Sequence, residues 1–215
     1  MRFYADSADV DRVTALLRSG LVSGVTSNPT ILDRSGRGVE DFEQLYESYV
    51  AAGAREVFFQ TWGPDAGAML ANARRITALG DRVVVKLTAT LHGFAAAAAL
   101  HREGTPTLIT AVNTVAQAAV AAQVGADYVA PYFGQIADRT GGPPVALVAA
   151  MQSALATTGT QVLLASIRDP AAVEAAAAVG VRLFTAHPDV VEACAQSEHS
   201  AAADAKFEEL VLRRS

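Results

Sequence analysis

Eight short apolar stretches alternate with eight stretches of helical spacing along this 215-residue chain. Strict alternation of this kind indicates parallel strands joined by helical crossovers. Eight such units in one compact domain predict an α/β fold, a (β/α)8 TIM barrel. A doubly wound open sheet is the alternative, but no predicted strand is followed by a Gly-x-Gly-x-x-Gly turn. The predicted strands span residues 2–6, 24–29 (including a turn), 55–61, 82–87, 106–112, 128–133, 161–167 and 181–186.

The predicted helices follow the strands, and most of them end at a glycine, the residue that best adopts the left-handed conformation after a helix. A polar loop is expected between Phe133 and Gly142. Residues Ser197–Arg213 predict an extra C-terminal helix. No linker interrupts the pattern, so we expect one barrel domain over residues 1–215. The predicted helices span residues 7–18, 40–52, 64–79, 93–102, 114–124, 143–157, 170–179 and 188–195.

The composition argues against several functional classes. The net charge is −5 and no basic stripe is visible, so nucleic acid is not an expected partner. The longest apolar stretch, around Phe94–Leu100, is far too short to span a bilayer, so we expect no membrane partner. Asp6 precedes any apolar segment, which argues against a secretory signal, and the single cysteine, Cys194, fits a cytoplasmic protein. None of the histidines forms a metal-ligand motif, and we expect neither a metal nor a cofactor.

Lys86 follows three valines in the predicted strand Arg82–Leu87, where solvation is poor. Lysine is seldom buried without a partner, and only one other lysine, Lys206, occurs among the 17 basic residues. Burial disfavours the ammonium and frees a nucleophilic amine, which arginine cannot provide. From this stretch alone, a Schiff-base lysine and a lysine that snorkels or pairs with a carboxylate are equally good interpretations.

Polar residues lie at or just beyond the C-terminal end of every predicted strand, where barrels place their chemistry. Each has a structural explanation alone: Asp6 as a helix cap, Asn28 as an Asx turn, Gln60 as a core amide, and Tyr132 as a core aromatic. Together, a lysine, a carboxylate, a phenol and neutral hydrogen-bonding groups predict amine catalysis on a carbonyl, with the neutral groups holding a polyol. The strand-end residues are Asp6, Thr26, Asn28, Gln60, Lys86, Thr110, Tyr132, Ser166, Arg168, Thr185 and His187.

Ser166 and Arg168 lie in the loop after the seventh predicted strand, just before a predicted helix. Barrels commonly bind phosphate in the loops after strands seven and eight, at a helix N-terminus. The sequence therefore predicts a phosphate site at these residues. A surface arginine in a strand–helix loop is an equally good interpretation of Arg168.

Several stretches along nearly the whole chain carry a family resemblance, namely Phe3–Asp6, Gly24–Thr30, Val83–Lys86, Gly104–Leu108, Thr110–Val112, Gly125–Tyr132 and Ala165–Arg168. In order and spacing they resemble the small transaldolase family, most closely its fructose-6-phosphate aldolase branch. The resemblance implies a barrel in which Lys86 is the Schiff-base lysine. It also implies that Asp6 and Asn28 position the amine and the substrate hydroxyls, and that Ser166 and Arg168 contact phosphate.

The same resemblance bears on the reaction. Transaldolases of this family usually have glutamate and phenylalanine where this chain has Gln60 and Tyr132, whereas the aldolase branch has glutamine and tyrosine and uses the tyrosine hydroxyl for proton transfer. Thr110-Ala111-Val112 also favours the aldolase branch. The predicted catalytic residues are Lys86, Tyr132, Asp6, Gln60 and Thr110. The predicted substrate-binding residues are Thr26, Asn28, Ser166, Arg168 and Gln135.

Three positions depart from the family pattern: Thr88, His92 and Gln135. Gln135 stands where the family has an arginine that helps to bind the substrate phosphate. Losing one charge-assisted hydrogen bond weakens binding by roughly 1.5–3 kcal/mol. Arg139 in the same predicted loop is a candidate replacement. We therefore expect a natural substrate that is either unphosphorylated or different from the family's usual sugar.

Several functional hypotheses remain open. The first is a class I aldolase that cleaves or forms a carbon–carbon bond of a ketose or ketose phosphate with a dihydroxyacetone unit, or a transaldolase that transfers this unit. The second is a diverged barrel that binds without turnover. The third is a deoxyribose phosphate aldolase, against which the absence of a second active-site lysine argues. The family forms rings, which implies a homo-oligomer (a pentamer or decamer), and Phe207, Leu210 and Leu212 would pack on a neighbour or on their own barrel.

Overall fold

Eight parallel strands pair in sequence order and close into a barrel in the computed structural model, which describes residues 1–213. The first and last strands pair in parallel through partners such as Tyr4 and Thr185, which completes the ring. The predicted (β/α)8 barrel is confirmed. The strands are β1 (Arg2–Asp6), β2 (Gly24–Thr26), β3 (Glu56–Gln60), β4 (Val83–Thr88), β5 (Thr107–Val112), β6 (Tyr128–Pro131), β7 (Gln161–Ile167) and β8 (Leu183–Ala186).

Helices surround the barrel, and a short 3-10 helix at Val39–Asp41 precedes the third of them. Most of these helices begin at a side-chain cap; Asp169, for example, accepts a hydrogen bond from the Ala172 amide at 2.8 Å. The helices are α1 (Val10–Arg18), α2 (Pro29–Arg34), α3 (Phe42–Ala51), α4 (Ala66–Thr77), α5 (Leu91–Arg102), α6 (Val115–Gln123), α7 (Phe133–Thr140), α8 (Val145–Leu155), α9 (Pro170–Ala178), α10 (Pro188–Cys194) and α11 (Glu198–Leu212).

Strand residues alternate between two cores, because successive side chains on a strand point to opposite faces. The outward-facing residues pack against the helices in the larger core. The inward-facing residues fill the barrel, so that it is a packed core and not a pore. The inward-facing cluster consists of Tyr4, Phe58, Val84, Leu108, Tyr128, Ala130, Leu163, Ala165 and Leu183.

Two helices lie where the sequence was interpreted as turn and loop. The prediction of a polar loop after β6 was wrong, since Phe133–Thr140 forms α7, in which Phe133 and Ile136 are buried, and the helix ends at Gly141 with a φ of 76°. A turn was expected at Pro29, but Pro29 is the first residue of α2. Asn28 caps that helix, and proline is well suited to its first position because its nitrogen needs no hydrogen-bond acceptor there.

The N-terminal end of the barrel is closed by a partly buried polar cluster around Glu56. Its carboxylate accepts hydrogen bonds from the hydroxyls of Tyr4 at 2.5 Å and Tyr128 at 2.6 Å, and it pairs with Arg2 at 3.2 Å. Burial, together with the bonds to Glu56, raises the pKa of both tyrosines well above the usual range. The cluster lies at the end of the barrel opposite Lys86 and serves the stability of the fold.

The extra C-terminal helix predicted from the sequence is present as α11, with Ser197 as its cap. None of its residues is buried, and Phe207 and Leu212 are 64% and 68% exposed. Of the helices within residues 1–213, none is long and apolar enough to cross a membrane.

Candidate active site

The alternation of side chains explains why polar groups meet at one end of the barrel. At the C-terminal end of most strands, a polar residue lies two positions beyond a residue of the barrel core and faces the same way, as Lys86 lies beyond Val84. The C-terminal ends of parallel strands in a barrel open at the same face. The pairs are Tyr4 and Asp6, Phe58 and Gln60, Val84 and Lys86, Leu108 and Thr110, Ala130 and Tyr132, and Leu183 and Thr185.

These polar groups line a pocket of about 450 Å³ at the C-terminal end of the barrel. The structure brings nine of the ten predicted site residues to this pocket and places the tenth, Arg168, outside its lining. The nine are Lys86, Tyr132, Asp6, Gln60, Thr110, Thr26, Asn28, Ser166 and Gln135. The floor is apolar and consists of Leu108, Ala130, Leu163 and Ala165.

Lys86 lies deep in the pocket with only 4% of its surface exposed. Its Nζ atom donates a hydrogen bond to the backbone oxygen of Ser27 at 2.7 Å. Burial lowers the pKa of Lys86, against a smaller opposing attraction from Asp6. A lysine in this environment has a larger fraction of neutral, nucleophilic amine than one in water.

A chain of hydroxyl groups holds the carboxylate of Asp6 at the pocket. Thr26 Oγ1 donates to Asp6 Oδ1 at 2.6 Å and lies 2.6 Å from Thr185 Oγ1. Because Thr26 gives its single hydroxyl proton to the carboxylate, Thr185 must be the donor to Thr26. Both threonines are buried, so water does not compete for these bonds. Within residues 1–213 the second oxygen of Asp6 accepts no hydrogen bond and is available to a ligand.

Tyr132 and Thr110 form a second hydrogen-bonded pair across the pocket. Thr110 Oγ1 donates to the phenolic oxygen of Tyr132 at 2.8 Å, which leaves the phenol's own proton free to be donated into the pocket. Burial raises the pKa of Tyr132, so the phenol is protonated at neutral pH. Next to Thr110, the register of β5 shifts at Ala111, whose φ is 57°. Non-glycine residues rarely adopt this conformation, and such strain often occurs at functional sites.

Ser166 lines the pocket even though the alternation along β7 already points Ala165 inward. The backbone of Ser166 has a φ of 60°, and the register of β7 against β8 shifts between Leu164 and Ile167. This second bulge allows two consecutive residues, Ala165 and Ser166, to line the same pocket. No signal in the sequence marks it, because serine is not a residue that favours a positive φ.

The cations predicted to bind phosphate are engaged with other groups. Arg168 forms a two-pronged pair with Asp138 of α7, with N–O distances of 2.7 and 2.6 Å, and is exposed outside the pocket lining. Arg139, the candidate replacement for an arginine at position 135, donates to the side chain of Asn113 and does not line the pocket. Gln135 does line it, as an exposed neutral amide.

Sequence reasoning missed the contribution of α2 to the site. Thr30, Ile31 and Arg34 of this helix line the pocket, as do Asn28 and Pro29 at its start. The signal was present in Asn28-Pro29, a cap residue followed by a proline suited to the first helical position. Thr185 stood among the strand-end residues but was not included in the predicted site. Within residues 1–213 no group of three or more potential metal-binding side chains comes together.

The family and the relatives that this chain matches agree with the resemblance found in its sequence. The model of the family described as Transaldolase/Fructose-6-phosphate aldolase matches residues 3–213. The chain is 35% identical over 187 residues to a probable transaldolase of Streptococcus equi subsp. equi (strain 4047), covering 86% of each chain. It is 32% identical over 194 residues to a probable transaldolase of Aquifex aeolicus (strain VF5), covering 89% of this chain and 88% of the relative.

Similar solved structures show the fold alone, because their identity to this chain is low. One is mandelate oxidase with benzoyl-formic acid, with a TM-score of 0.61 and 18% identity, covering 89% of this chain and 65% of that chain. Another is mandelate oxidase with (S)-2-phenylpropionate, with a TM-score of 0.59 and 17% identity, covering 89% and 65%. The chain therefore spans slightly less than two thirds of the length of these solved chains.

Proposed function

Because the chain belongs to the transaldolase/fructose-6-phosphate aldolase family, we propose that it is a Schiff-base class I aldolase of the fructose-6-phosphate aldolase type. It cleaves or forms a carbon–carbon bond of a ketose or ketose phosphate and uses a dihydroxyacetone unit. The observation that carries the proposal is the buried Lys86 amine in a pocket that also contains a carboxylate and a protonated phenol. The reaction requires no cofactor.

The proposed reaction begins with the neutral amine of Lys86, which attacks the ketone carbon. Loss of water from the resulting carbinolamine gives a protonated imine. A base takes the proton of the hydroxyl beyond the bond to be broken, an aldehyde leaves, and the bonding electrons move into the imine as an enamine. Tyr132, with Asp6 and a water held near Gln60 and Thr110, serves as the proton-transfer group.

The enamine then has two fates. Protonation of its carbon followed by hydrolysis releases dihydroxyacetone, which is the aldolase outcome. Addition to an acceptor aldehyde, with no intervening hydrolysis, is the transaldolase outcome. Gln60 and Tyr132 support the aldolase, since the family's transaldolases usually have glutamate and phenylalanine at these positions. Transaldolase activity is the second candidate, supported by the relatives, which are named as probable transaldolases.

Thr26, Asn28 and Ser166 are proposed to bind the hydroxyls of the substrate, because their polar side chains line the pocket beside Lys86. Arg168 is proposed to contact a phosphate only after exchanging its bond to Asp138. Gln135 is proposed to contact the substrate as a neutral hydrogen-bonding group.

Borohydride trapping tests the covalent step. Incubation with dihydroxyacetone or fructose 6-phosphate, followed by borohydride, is expected to reduce the imine to a stable adduct that peptide mass spectrometry locates on Lys86. The matched control is a variant of Lys206, the only other lysine in the sequence. Lys206→Ala should form the adduct fully, and Lys86→Ala should form none. Equal labelling of Lys86→Ala would contradict the proposal.

A product assay separates the candidate activities. Fructose 6-phosphate is supplied with and without erythrose 4-phosphate. Free dihydroxyacetone in the absence of an acceptor identifies an aldolase, and product formed only with the acceptor identifies a transaldolase. Adduct formation with no product over a broad set of donors and acceptors would indicate a barrel that binds without turnover.

We also propose that the protein is a cytoplasmic homo-oligomer in which α11 covers a neighbouring copy. The support is the row of apolar side chains that α11 exposes, among them Phe207 and Leu212. Apolar faces of this kind in a soluble protein commonly mark contact surfaces.

A further inference from the structure

One wall of the pocket is a single short helix, α2. Thr30, Ile31 and Arg34 of this helix line the pocket. Residues three and four positions apart lie on the same face of a helix, so Arg34 stands one turn beyond Thr30 and Ile31 on the wall that faces the pocket. The helix is fixed at its start by Asn28, whose side-chain oxygen accepts from the Ile31 amide at 3.0 Å. Arg34 is therefore held at the mouth of the pocket, where it is exposed.

Among the described residues that line the pocket, Arg34 is the one that carries a permanent positive charge. The other cationic residue of the lining is Lys86, which burial favours as a neutral amine and which the proposed reaction consumes as a nucleophile. An arginine does not lose its proton in a protein. Among residues 1–213 no carboxylate forms an ion pair with Arg34, and the acid of the lining, Asp6, is bonded to Thr26.

On the opposite side of the mouth, the described residues that line the pocket include no cation. Gln135 of α7 is neutral, and both terminal nitrogens of Arg168 are bonded to Asp138. The helix α2 follows β2, whereas α7 follows β6, and in a ring of eight strands in sequence order these two strands are diametrically opposed. The charge at Arg34 is thus across the mouth from Gln135.

We propose that Arg34 is a specificity-determining residue that binds an anionic group, a phosphate or a carboxylate, on the part of the substrate that lies farthest from Lys86. The guanidinium group presents paired donors that match two oxygens of such an anion. The inference rests on the proposed aldolase function. It goes beyond that function by assigning anion recognition to the α2 wall, across the pocket from Ser166 and Arg168.

The test compares Arg34→Gln and Arg34→Lys with a matched control, Arg75→Gln. Arg75 is an exposed arginine of α4 that does not line the pocket. The assay measures kcat/KM for aldol addition of dihydroxyacetone to glyceraldehyde 3-phosphate, to the carboxylated aldehyde glyoxylate, and to neutral glyceraldehyde. Arg34→Gln is expected to lower kcat/KM for the anionic acceptor by about 10- to 100-fold, because a charge-assisted hydrogen bond is lost. The kcat/KM for neutral glyceraldehyde should stay nearly unchanged. Arg34→Lys should recover part of the loss, and Arg75→Gln should behave as the wild type.

The acceptor that shows this dependence identifies the anion as phosphate or carboxylate. An unchanged ratio of anionic to neutral kcat/KM in Arg34→Gln would overturn the inference. A titration of inorganic phosphate and acetate by calorimetry provides a readout that does not depend on turnover. Anion binding that is lost in Arg34→Gln supports the site even if no substrate reacts, in which case only the proposed function fails. Anion binding that is lost in Arg168→Gln and kept in Arg34→Gln would place the site on the opposite wall and refute the inference.

Discussion

Replacing Tyr132 with phenylalanine removes one hydroxyl group from the lining of the pocket and leaves the ring in place. In the wild type this hydroxyl accepts a hydrogen bond from Thr110 at 2.8 Å, so its own proton points to a group other than Thr110. Phenylalanine retains the contact of the ring with the barrel core. The substitution thus separates proton transfer from packing.

The size of the effect distinguishes two roles for the hydroxyl. If it only holds a substrate through a neutral hydrogen bond, its loss costs about 0.5–1.5 kcal/mol, which corresponds to a roughly 2- to 12-fold decrease in rate. If it moves the proton of the reacting hydroxyl, the loss is on the order of 10²–10⁴-fold in kcat. Because the phenol is partly buried in the pocket and burial raises its pKa, we expect the larger decrease.

The assay measures kcat for cleavage of fructose 6-phosphate and, separately, the yield of the borohydride adduct on Lys86. Tyr132→Phe should lose at least 10²-fold in kcat while still forming the adduct, since imine formation depends on the lysine. Thr110→Val, which removes the donor to the phenol, should decrease kcat by only about 2- to 12-fold. A Tyr132→Phe enzyme that keeps more than about a tenth of the wild-type kcat would refute the proton-transfer role.

Four further measurements test other parts of the structure. Adduct formation should rise with pH with a midpoint below 10.5, because burial lowers the pKa of Lys86 and the neutral amine exists above that pKa; a midpoint at the ordinary value would contradict the effect of burial. Glu56→Gln keeps one acceptor oxygen for two phenols, so we expect the unfolding free energy to fall by about 2 kcal/mol. Calorimetry should then show a Tm lower by about 4–8 °C. Tyr4→Phe should lower the unfolding free energy by less. Thr26→Val removes the donor to a carboxylate and should lower kcat/KM by about 10- to 100-fold with an unchanged far-UV spectrum. Phe207→Glu should reduce the light-scattering mass to that of one chain without lowering the monomer's helix content, whereas an unchanged mass would exclude this face from an interface.

The strands and most of the pocket follow from the sequence because a barrel strand has a period of two. Once Val84 is recognised as core, Lys86 must also point inward, and the same argument applies to Asp6, Gln60 and Thr110. The fold class is predictable because the alternation of strands and helices permits few topologies.

The other features of the site depend on tertiary interactions, which the two-residue period of the strands does not encode. The bulge that turns Ser166 toward the pocket results from a register shift between neighbouring strands, which is a tertiary property. The pairing of Arg168 with Asp138 depends on the packing of α7, which was expected to be a loop. The helix α2 was missed because it is only six residues long, and so short a segment shows little periodicity.

With the proposed roles, the six-residue helix α2 separates the chemistry of this barrel from its choice of substrate. The lysine and the carboxylate belong to strands, and the phenol directly follows one, so the whole ring fixes their positions, whereas α2 lies outside the sheet and depends on Asn28 for its start. Variation at Thr30, Ile31 and Arg34 can therefore change what enters the pocket while the reacting groups stay in place. For directed evolution, a library limited to these positions, with Asn28 retained, offers a way to change the substrate specificity without altering the groups proposed to react.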